Sequence, residues 1–191
     1  MPQETPTPSA RQTELLEAAY RYALAHGLTD LSLRPLAEAI GSSPRVLLFL
    51  FGSKDGLVRA LLARARTDEL ALLDRIRRPA PAGLVPAVEQ VWAWLAAKEH
   101  RPLLRLWAEA YARSLVQPDG PWAGFARTTV EDWLGVLTDC QSPSERGARD
   151  AAVRRTLALA VLRGALLDLL ATDDEPRLTD AVTHQLALLR G

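Results

Sequence analysis

The segment at residues 41–56 reads GSSPRVLLFLFGSKDG, with six consecutive apolar residues at 46–51 between two polar flanks that contain glycine. An apolar run of this length fits a buried strand or one side of a helix, so the flanks decide. Ser43 followed by Pro44 favours a helix start, because the serine oxygen can accept a hydrogen bond from a backbone N–H and proline fits the first turn. The sequence therefore predicts a two-turn helix at 44–51 that ends at Gly52 and carries Arg45 at its polar front end.

Three further helices are predicted around this segment. The first spans about residues 9–26, with Ser9 as its cap and Gly27 as its stop. The second begins at Ser32 and ends at Gly41, and a longer one begins at Ser53 and continues toward residue 78. Two short helices joined by a tight turn, with longer helices on both sides, indicate a helix-turn-helix whose second helix enters the DNA major groove.

The composition of the short helix suits that role. Its apolar body at 46, 47, 50 and 51 can hold it on the supporting helices, while its polar front end approaches DNA. Arginine reads guanine through two hydrogen bonds, and serine serves bases or phosphates. The helix starts at Ser32 and Ser53 offer backbone N–H groups to phosphates, with basic residues adjacent. The candidate DNA contacts are Ser32, Arg34, Ser42, Ser43, Pro44, Arg45, Leu48, Phe49 and Lys54.

The stretches LLEAAYRYALAHG, LSLRPLAEAIGSS and FGSKDGL resemble the DNA-binding domain of the TetR family of bacterial transcriptional regulators over residues 14–62. The resemblance implies a helical ligand-binding and dimerising domain after it and repression that a small molecule relieves. Two helix-turn-helix units of a homodimer would enter successive major grooves of a near-palindromic DNA operator. The resemblance also implies that Lys54 contacts a phosphate. This chain departs from the family in having Leu48 in place of the usual tyrosine and Leu50 in place of the usual histidine. Leu48 and Phe49 could touch thymine methyl groups, or they could pack internally.

Composition limits the alternatives. The chain has 191 residues, 48% of them hydrophobic, and a formal net charge of +0, so DNA binding must come from a local patch. Its single cysteine, Cys140, forms no intrachain disulfide. The first twelve residues carry no apolar core and the chain has no uninterrupted apolar run of membrane-spanning length, which predicts a cytoplasmic protein without a membrane partner.

Helices are also predicted near residues 85–99, 101–116, 122–140, 144–171 and 176–190. No segment alternates at period two, so the predicted fold class is all-α. The expected divisions are a flexible arm at 1–8, the helix-turn-helix domain at 9–52, a connecting helix at 53–78 and a ligand-binding and dimerisation domain at 79–191, after the prolines of RRPAPAG.

All five tryptophans lie in the middle of this second region, between residues 92 and 133. Together with the resemblance, they suggest a largely apolar cavity for a hydrophobic or aromatic effector, although each ring could simply fill the core. The candidate lining residues are Trp92, Trp107, Tyr111, Trp122, Phe125 and Trp133. Arg105, Glu109, Glu131 and Asp132 could supply a polar anchor, with Arg105 and Glu109 also placed to form a surface pair.

The helix predicted at 144–171 is apolar on two sides, so something must cover both. One row is Ala158, Leu162, Ala165 and Leu169, and the other contains Val153, Leu157, Ala160 and Leu167. A second copy of the chain could cover one row, or the helix could be central in a monomer. The candidate homodimer interface comprises Val153, Leu157, Ala160, Gly164, Leu167, Leu178, Val182, Gln185 and Leu189.

Other functional classes lack a matching pattern. The three histidines form no catalytic constellation, and no phosphate-binding loop, dinucleotide fingerprint or nucleophile motif occurs, so we predict neither an enzyme nor a cofactor. Asp173, Asp174 and Glu175 could bind a cation, but solvated loop charge is the favoured interpretation. The alternative function is a helical protein-interaction module of the same fold that has lost specific DNA binding.

Overall fold

In a computed structural model, residues 9–77 and 83–190 are described, apart from the side chain of Arg190. The described residues form ten α-helices: α1 Ala10–His26, α2 Leu33–Ala39, α3 Pro44–Phe51, α4 Lys54–Arg77, α5 Leu84–Ala96, α6 Arg101–Val116, α7 Phe125–Cys140, α8 Pro143–Gly147, α9 Ala151–Thr172 and α10 Glu175–Arg190. Short 3₁₀ turns at Lys98–His100 and Gly120–Trp122 precede α6 and α7. None of these described residues is in a strand, which confirms the all-α prediction. The arm at 1–8, the segment at 78–82 that ends the predicted connecting helix and holds two of the prolines, and the last residue lie outside the described residues.

The first helix, α1, begins at the Ser9 cap and ends at Gly27 as predicted. Ser9 Oγ accepts the backbone N–H of Gln12 at 3.2 Å, and the N–H of Gly27 donates to the Ala23 carbonyl at 2.8 Å. The side chain of Gln12 does not return to the Ser9 backbone, because Gln12 Nε2 donates instead to the Leu50 carbonyl at 2.9 Å. That bond attaches the start of α1 to the end of α3.

Two hydrophobic cores are stacked along α4. The first half of α4, through Ala65, packs with α1, α2 and α3 in an N-terminal core that also takes in Leu106 and Ala110 of α6. The second half, from Leu72 onward, packs with α5, α7, α9 and α10 in a larger core. α4 and α6 are therefore the elements through which the two cores are connected.

The boundary between α8 and α9 differs from the prediction of one helix at 144–171. Ser142 and Glu145 form a complete capping box, and the chain leaves the helix after Gly147 before α9 starts at Ala151. Glu145 also accepts the backbone N–H of Leu84 at 3.2 Å, which fixes this turn against the start of α5. A long-range contact of this kind leaves no trace in the helical period of the sequence.

Candidate nucleic-acid interface and ligand cavity

α3 is held on the N-terminal core by one side only. Leu47 is 1% exposed and Phe51, one turn later, packs against the same core. Ser43 Oγ caps the helix by accepting the Val46 N–H at 3.3 Å, and the Gly52 N–H closes its last turn on the Leu48 carbonyl at 2.8 Å. Both ends of α3 are therefore satisfied by local bonds, and the other side of the helix faces solvent.

That solvent side carries an arginine and three apolar side chains. Arg45 is exposed, as are Val46, Leu48 at 41% and Phe49 at 85%. Val46 was expected to help lock α3 in place, and this expectation is wrong because Leu47 and Phe51 already occupy the inward side. The alternative that Leu48 and Phe49 pack internally does not hold either, since both side chains are open to solvent. We name the surface formed by Arg45, Val46, Leu48 and Phe49 the α3 face.

Basic and hydroxyl groups are exposed on the helices before and after α3. Lys54 begins α4 and is exposed, and Ser32 and Arg34 are exposed at the start of α2. The Ser32 hydroxyl makes no capping bond. The Ser42 hydroxyl, in contrast, is buried in the turn between α2 and α3 without a hydrogen-bond partner among the described residues. Ser42 is therefore withdrawn from the surface on which it was expected.

The turn between α3 and α4 depends on Gly56. A Cβ at this position would lie 2.0 Å from the Phe51 carbonyl oxygen, a distance that no side chain tolerates. Ser53 Oγ caps α4 by accepting the Gly56 N–H at 2.9 Å. This close approach sets the position of Lys54 relative to the end of α3.

An apolar cavity lies in the larger core. Fifteen described residues from α4, α5, α6, α7 and α9 line it. The empty space among them is about 640 Å³ including its opening to solvent, whereas the part that water-sized molecules can occupy is only about 50 Å³. The cavity proper is therefore small, because the larger volume includes open solvent. The lining residues are Ala65, Glu69, Leu72, Val91, Trp94, Leu95, Leu103, Leu104, Trp107, Phe125, Trp133, Leu159, Leu162, Arg163 and Leu166.

Half of the six aromatic residues predicted for the cavity line it: Trp107, Phe125 and Trp133. Tyr111 stands behind Trp107, with ring centroids 5.0 Å apart. Trp92 lies elsewhere, donating its Nε1 hydrogen to Thr179 Oγ1 at 2.9 Å, because its position on α5 points it at α10. Trp122 packs in the N-terminal core. Trp94, two positions after Trp92 on the other side of α5, lines the cavity and was missed.

The cavity also contains two charged residues that the sequence did not single out. Glu69 is 7% exposed, and its Oε1 accepts the Nε1 hydrogen of Trp133 at 2.6 Å. Burial raises the pKa of the Glu69 carboxyl. The guanidinium of Arg163 lies over the Tyr111 ring, 5.2 Å from its centroid, and burial lowers the pKa of Arg163. The available signal was an arginine in the middle of the apolar stretch LALAVLRGALLDLLA at residues 157–171.

None of the four polar anchors suggested by the sequence lines the cavity. Arg105 and Glu131 are exposed, and Asp132 pairs with Arg66 at 2.6 Å. Glu109 accepts the backbone N–H of Leu28 at 2.9 Å and a hydrogen bond from the Thr29 hydroxyl. The carboxylate of Glu109 thus fastens α6 to the turn between α1 and α2, one half-turn of helix away from Trp107 in the cavity wall.

The two apolar rows of α9 face in opposite directions. Ala158, Leu162 and Leu169 are buried in the larger core. Val153, Leu157 and Leu167, at 59%, 49% and 55% exposed, point to solvent together with Ala160 and Gly164. Of the predicted interface residues on α10, Leu178, Val182 and Leu189 are buried within the chain's own core, and only Gln185 is partly accessible. The outward side of α10 instead presents Ala181, His184 and Leu188.

The acidic loop after α9 is neutralised by neighbouring arginines. Asp173 lies 3.4 Å from Arg101 Nη2, and Asp174 lies 3.0 Å from Arg177 Nε. Over residues 9–77 and 83–190 the structure contains no cluster of three or more histidine, cysteine or acidic side chains that could hold a metal ion. Within the same ranges, no helix is both long and apolar enough to cross a membrane.

Comparison with known proteins identifies the N-terminal segment. Residues 15–61 match the family model of bacterial regulatory proteins of the tetR family. A comparison with curated protein sequences gives no match.

Solved structures share the fold over nearly the whole chain. A transcriptional regulator from Rhodococcus sp. Rha1 is 21% identical, with 93% of this chain and 94% of that chain covered and a TM-score of 0.76. A TetR transcription regulator from Haloarcula marismortui is 18% identical over 91% of this chain and 93% of that chain, with a TM-score of 0.74. The multidrug binding protein EbrR, complexed with proflavin, is 22% identical over 91% and 98%, with a TM-score of 0.62. The segment at residues 15–61 therefore matches the tetR family of bacterial regulatory proteins, and the chain shares the helical fold of solved transcriptional regulators over 91–93% of its length.

Proposed function

We propose that this protein is a DNA-binding transcription regulator, a repressor, that binds a near-palindromic operator as a homodimer and is released by a small apolar ligand. The observation that carries the proposal is the α3 face. A short helix is held on its core by Leu47 and Phe51 and leaves Arg45, Leu48 and Phe49 accessible. An arginine that can read guanine, beside apolar side chains that can meet thymine methyl groups, fits the major groove.

Phosphate contacts would come from the groups that flank this face. Lys54, Arg34 and Ser32 are exposed on α4 and α2, on the same helix-turn-helix as Arg45. Ser43 and Pro44 lie at the N-terminal end of α3, the end that approaches bases in such motifs. Ser42 is removed from this set because its hydroxyl is buried.

The cavity supports a ligand-controlled switch. Its lining is mostly hydrocarbon and aromatic, with three tryptophans, so an apolar ligand fits its chemistry. A space of about 50 Å³ is much smaller than an organic effector, so a bound ligand would push apart the helices around it. α6 contributes Trp107 to the wall and Glu109 to the turn before α2, so its displacement would move the helix-turn-helix. The fold of a multidrug binding protein that holds proflavin is consistent with this role for the cavity.

The outward row of α9 supports a dimer. Val153, Leu157 and Leu167 are exposed on one helix, and a second copy of the chain, related by a two-fold axis, would cover them. Two helix-turn-helix units presented by such a dimer would read two half-sites about one helical turn of DNA apart.

The test is selection of bound duplexes from a random DNA pool, at a salt concentration near 0.15 M, with Arg45→Ala selected in parallel. We expect a two-fold symmetric motif in the parent selection that Arg45→Ala loses or degrades. Binding to the selected duplex should weaken steeply as salt rises, because phosphate contacts release counterions. If no motif emerges from a folded dimer, with or without added apolar ligands, the regulator proposal is wrong.

One observation favours the second candidate, a protein-interaction module that does not read DNA. Phe49 at 85% exposed, with Val46 and Leu48 beside it, is an apolar patch of the kind that also binds protein partners. The salt dependence separates the two functions, since an apolar protein contact at the α3 face would be nearly insensitive to salt.

A further inference from the structure

The chemistry of the proposed effector can be read from the unsatisfied polar atoms of the cavity wall. Three buried atoms there have no hydrogen-bond partner among the described residues: Nε and Nη2 of Arg163, and Nε1 of Trp94. All three are hydrogen-bond donors. A buried donor without an acceptor lowers the stability of the folded protein, so a ligand that completes this site has to supply acceptors.

The guanidinium of Arg163 is held in position by an aromatic ring, but no described acidic side chain neutralises its charge. Its guanidinium lies over the Tyr111 ring, which in turn stacks on Trp107, so its plane is supported from one side. A cation over an aromatic ring gains some stabilisation but makes no N–H hydrogen bond. Nε and the adjacent Nη are the pair of donors with which arginine binds a carboxylate through two parallel hydrogen bonds.

Glu69 is the other charged residue of the lining, and it does not satisfy Arg163. No ion pair joins the two residues within the described part of the chain. Glu69 Oε1 is already engaged by Trp133, at 2.6 Å. Burial raises the pKa of the Glu69 carboxyl and favours its neutral form, which does not require a cationic ligand.

We propose that the effector is an apolar monocarboxylate, with its carboxylate on Nε and Nη2 of Arg163 and its hydrocarbon part among the tryptophans. This inference rests on the proposed function only in calling the ligand an effector, because binding in the cavity does not require DNA. A single unpaired arginine accommodates one negative charge, and the remaining wall is apolar, which excludes a polyanion. A cationic ligand would bring further donors and would place a like charge beside Arg163.

The experiment uses the full chain without DNA and three matched series of ligands. Linear carboxylates from hexanoate to dodecanoate are compared with the primary alcohols and primary amines of equal length, by titration calorimetry and by fluorescence of the tryptophans. Charge-assisted hydrogen bonds predict that the best carboxylate binds about 10-fold to 100-fold more tightly than the alcohol of the same length. The amine should bind no better than the alcohol.

Variants assign that preference to its residues. Arg163→Met keeps an unbranched side chain and removes the donors, so carboxylates and alcohols should bind alike. Arg163→Lys should keep part of the preference, because it retains the charge but loses the two-pronged geometry. Trp94→Phe keeps a ring and removes one donor, which predicts a loss of about 3-fold to 10-fold for the carboxylate. Arg105→Met, which replaces an exposed arginine on α6, is the matched control and should behave as the parent.

Four binding results would each contradict the carboxylate proposal. It is overturned if no carboxylate of the series binds, if the alcohols bind equally well, if amines bind best with Glu69→Gln abolishing their binding, or if Arg163→Met keeps the carboxylate preference. Unfolding curves of each variant establish that it is folded, and Arg163→Gln replaces Arg163→Met should the latter not fold.

The outcome is independent of the regulator proposal. An Arg163-dependent carboxylate preference in a protein that selects no DNA motif would sustain this inference and refute the function. A selected operator that is released by alcohols or amines alone would support the regulator function and refute the carboxylate inference.

Discussion

At the scale of single residues, Arg45 and Lys54 are expected to contribute to DNA binding in different ways. Arg45 lies on the α3 face, where it can meet base edges, whereas Lys54 starts α4 beside it and can meet a phosphate. Arg45→Ala should cost about 1–3 kcal/mol on the preferred duplex and relax base preference at one position. Lys54→Ala should weaken binding similarly on all duplexes and reduce the salt slope by about 1.

Fluorescence anisotropy titrations can separate these two effects. They require the selected duplex, its single-base variants and an unrelated duplex, each at several salt concentrations. Arg149→Ala, which removes an exposed arginine between α8 and α9, controls for the loss of charge alone. If Arg45→Ala weakened all duplexes equally, Arg45 would be a phosphate contact and base reading would belong to the apolar residues of the α3 face.

The buried carboxyl of Glu69 makes a prediction about pH. Because burial raises its pKa in the folded state, the folded protein binds more protons than the unfolded chain just above the ordinary glutamate pKa. The contribution of Glu69 to the free energy of unfolding therefore falls as pH rises through that window and stays low above it. Glu69→Gln keeps an acceptor for Trp133 and removes this effect.

We accordingly expect Glu69→Gln to have a higher Tm than the parent at about pH 7.5, with the difference shrinking toward about pH 4. Thermal unfolding across this pH range measures it, and Glu131→Gln, at an exposed position on α7, serves as the control. A Tm difference that is the same at every pH would mean that Glu69 acts through packing or hydrogen bonding, without a contribution from its charge.

Residue facing was predicted well only where the apolar residues of a helix fall into separate rows. On α9 the sequence separates the buried row with Leu162 from the exposed row with Leu157, and both face as expected. On α3 the apolar run is continuous, so the inward pair Leu47 and Phe51 could not be separated from the outward Val46. Hydrophobicity predicts that a helix packs, but which side packs is set by partners distant in sequence.

At the scale of elements, α6 connects the cavity to the DNA-binding helices through Leu106 and Ala110 in the N-terminal core and through one carboxylate. Glu109 accepts the Leu28 N–H at 2.9 Å, and a Cβ on Gly27 would lie 3.0 Å from Glu109 Oε2. Gly27 also has a φ of 79°, which a residue with a side chain adopts at a cost. The turn between α1 and α2 is thus shaped around the Glu109 side chain.

Removing that carboxylate should loosen the connection. Glu109→Ala is expected to lower the free energy of unfolding by about 1–3 kcal/mol, because it leaves the Leu28 N–H without its charged acceptor. Gly27→Ala should also destabilise, and the double variant should cost less than the sum of the two, since the methyl group added at position 27 then no longer meets the carboxylate. Urea unfolding of the four proteins measures the coupling, and strict additivity would show that Gly27 and Glu109 do not interact.

At the scale of the whole molecule, both cores depend on α4 and α6, which neither helical period nor composition reveals. The all-α class, the helix-turn-helix and an aromatic-rich region could be predicted from the sequence, because each has a local pattern. The two ionisable residues of the cavity could not be predicted, since Glu69 lies 94 positions before Arg163 on a different helix. Only the arrangement of α4 and α9 around the cavity brings them into one lining.

If the exposed row of α9 that contains Leu157 forms the dimer interface, a change in that row should weaken both assembly and DNA binding. A glutamate in place of Leu157, which is 49% exposed in the single chain, leaves the protomer core intact but places a charge where a second copy would pack. Leu157→Glu should therefore stay folded and shift from dimer to monomer in analytical ultracentrifugation. Leu115→Glu, at a leucine 65% exposed at the end of α6, introduces the same change away from that face and should remain a dimer.

DNA binding gives the second readout of the same variant. A dimer binds a two-fold operator with both readers, so its affinity gains from the second half-site, whereas a monomer binds each half-site separately. Leu157→Glu should lose affinity for the full operator by about 10²-fold or more and keep the parent's weak affinity for a single half-site. If Leu157→Glu remained a dimer with unchanged operator affinity, the two readers would have to be joined through another surface, and the exposed row of α9 would need a different partner.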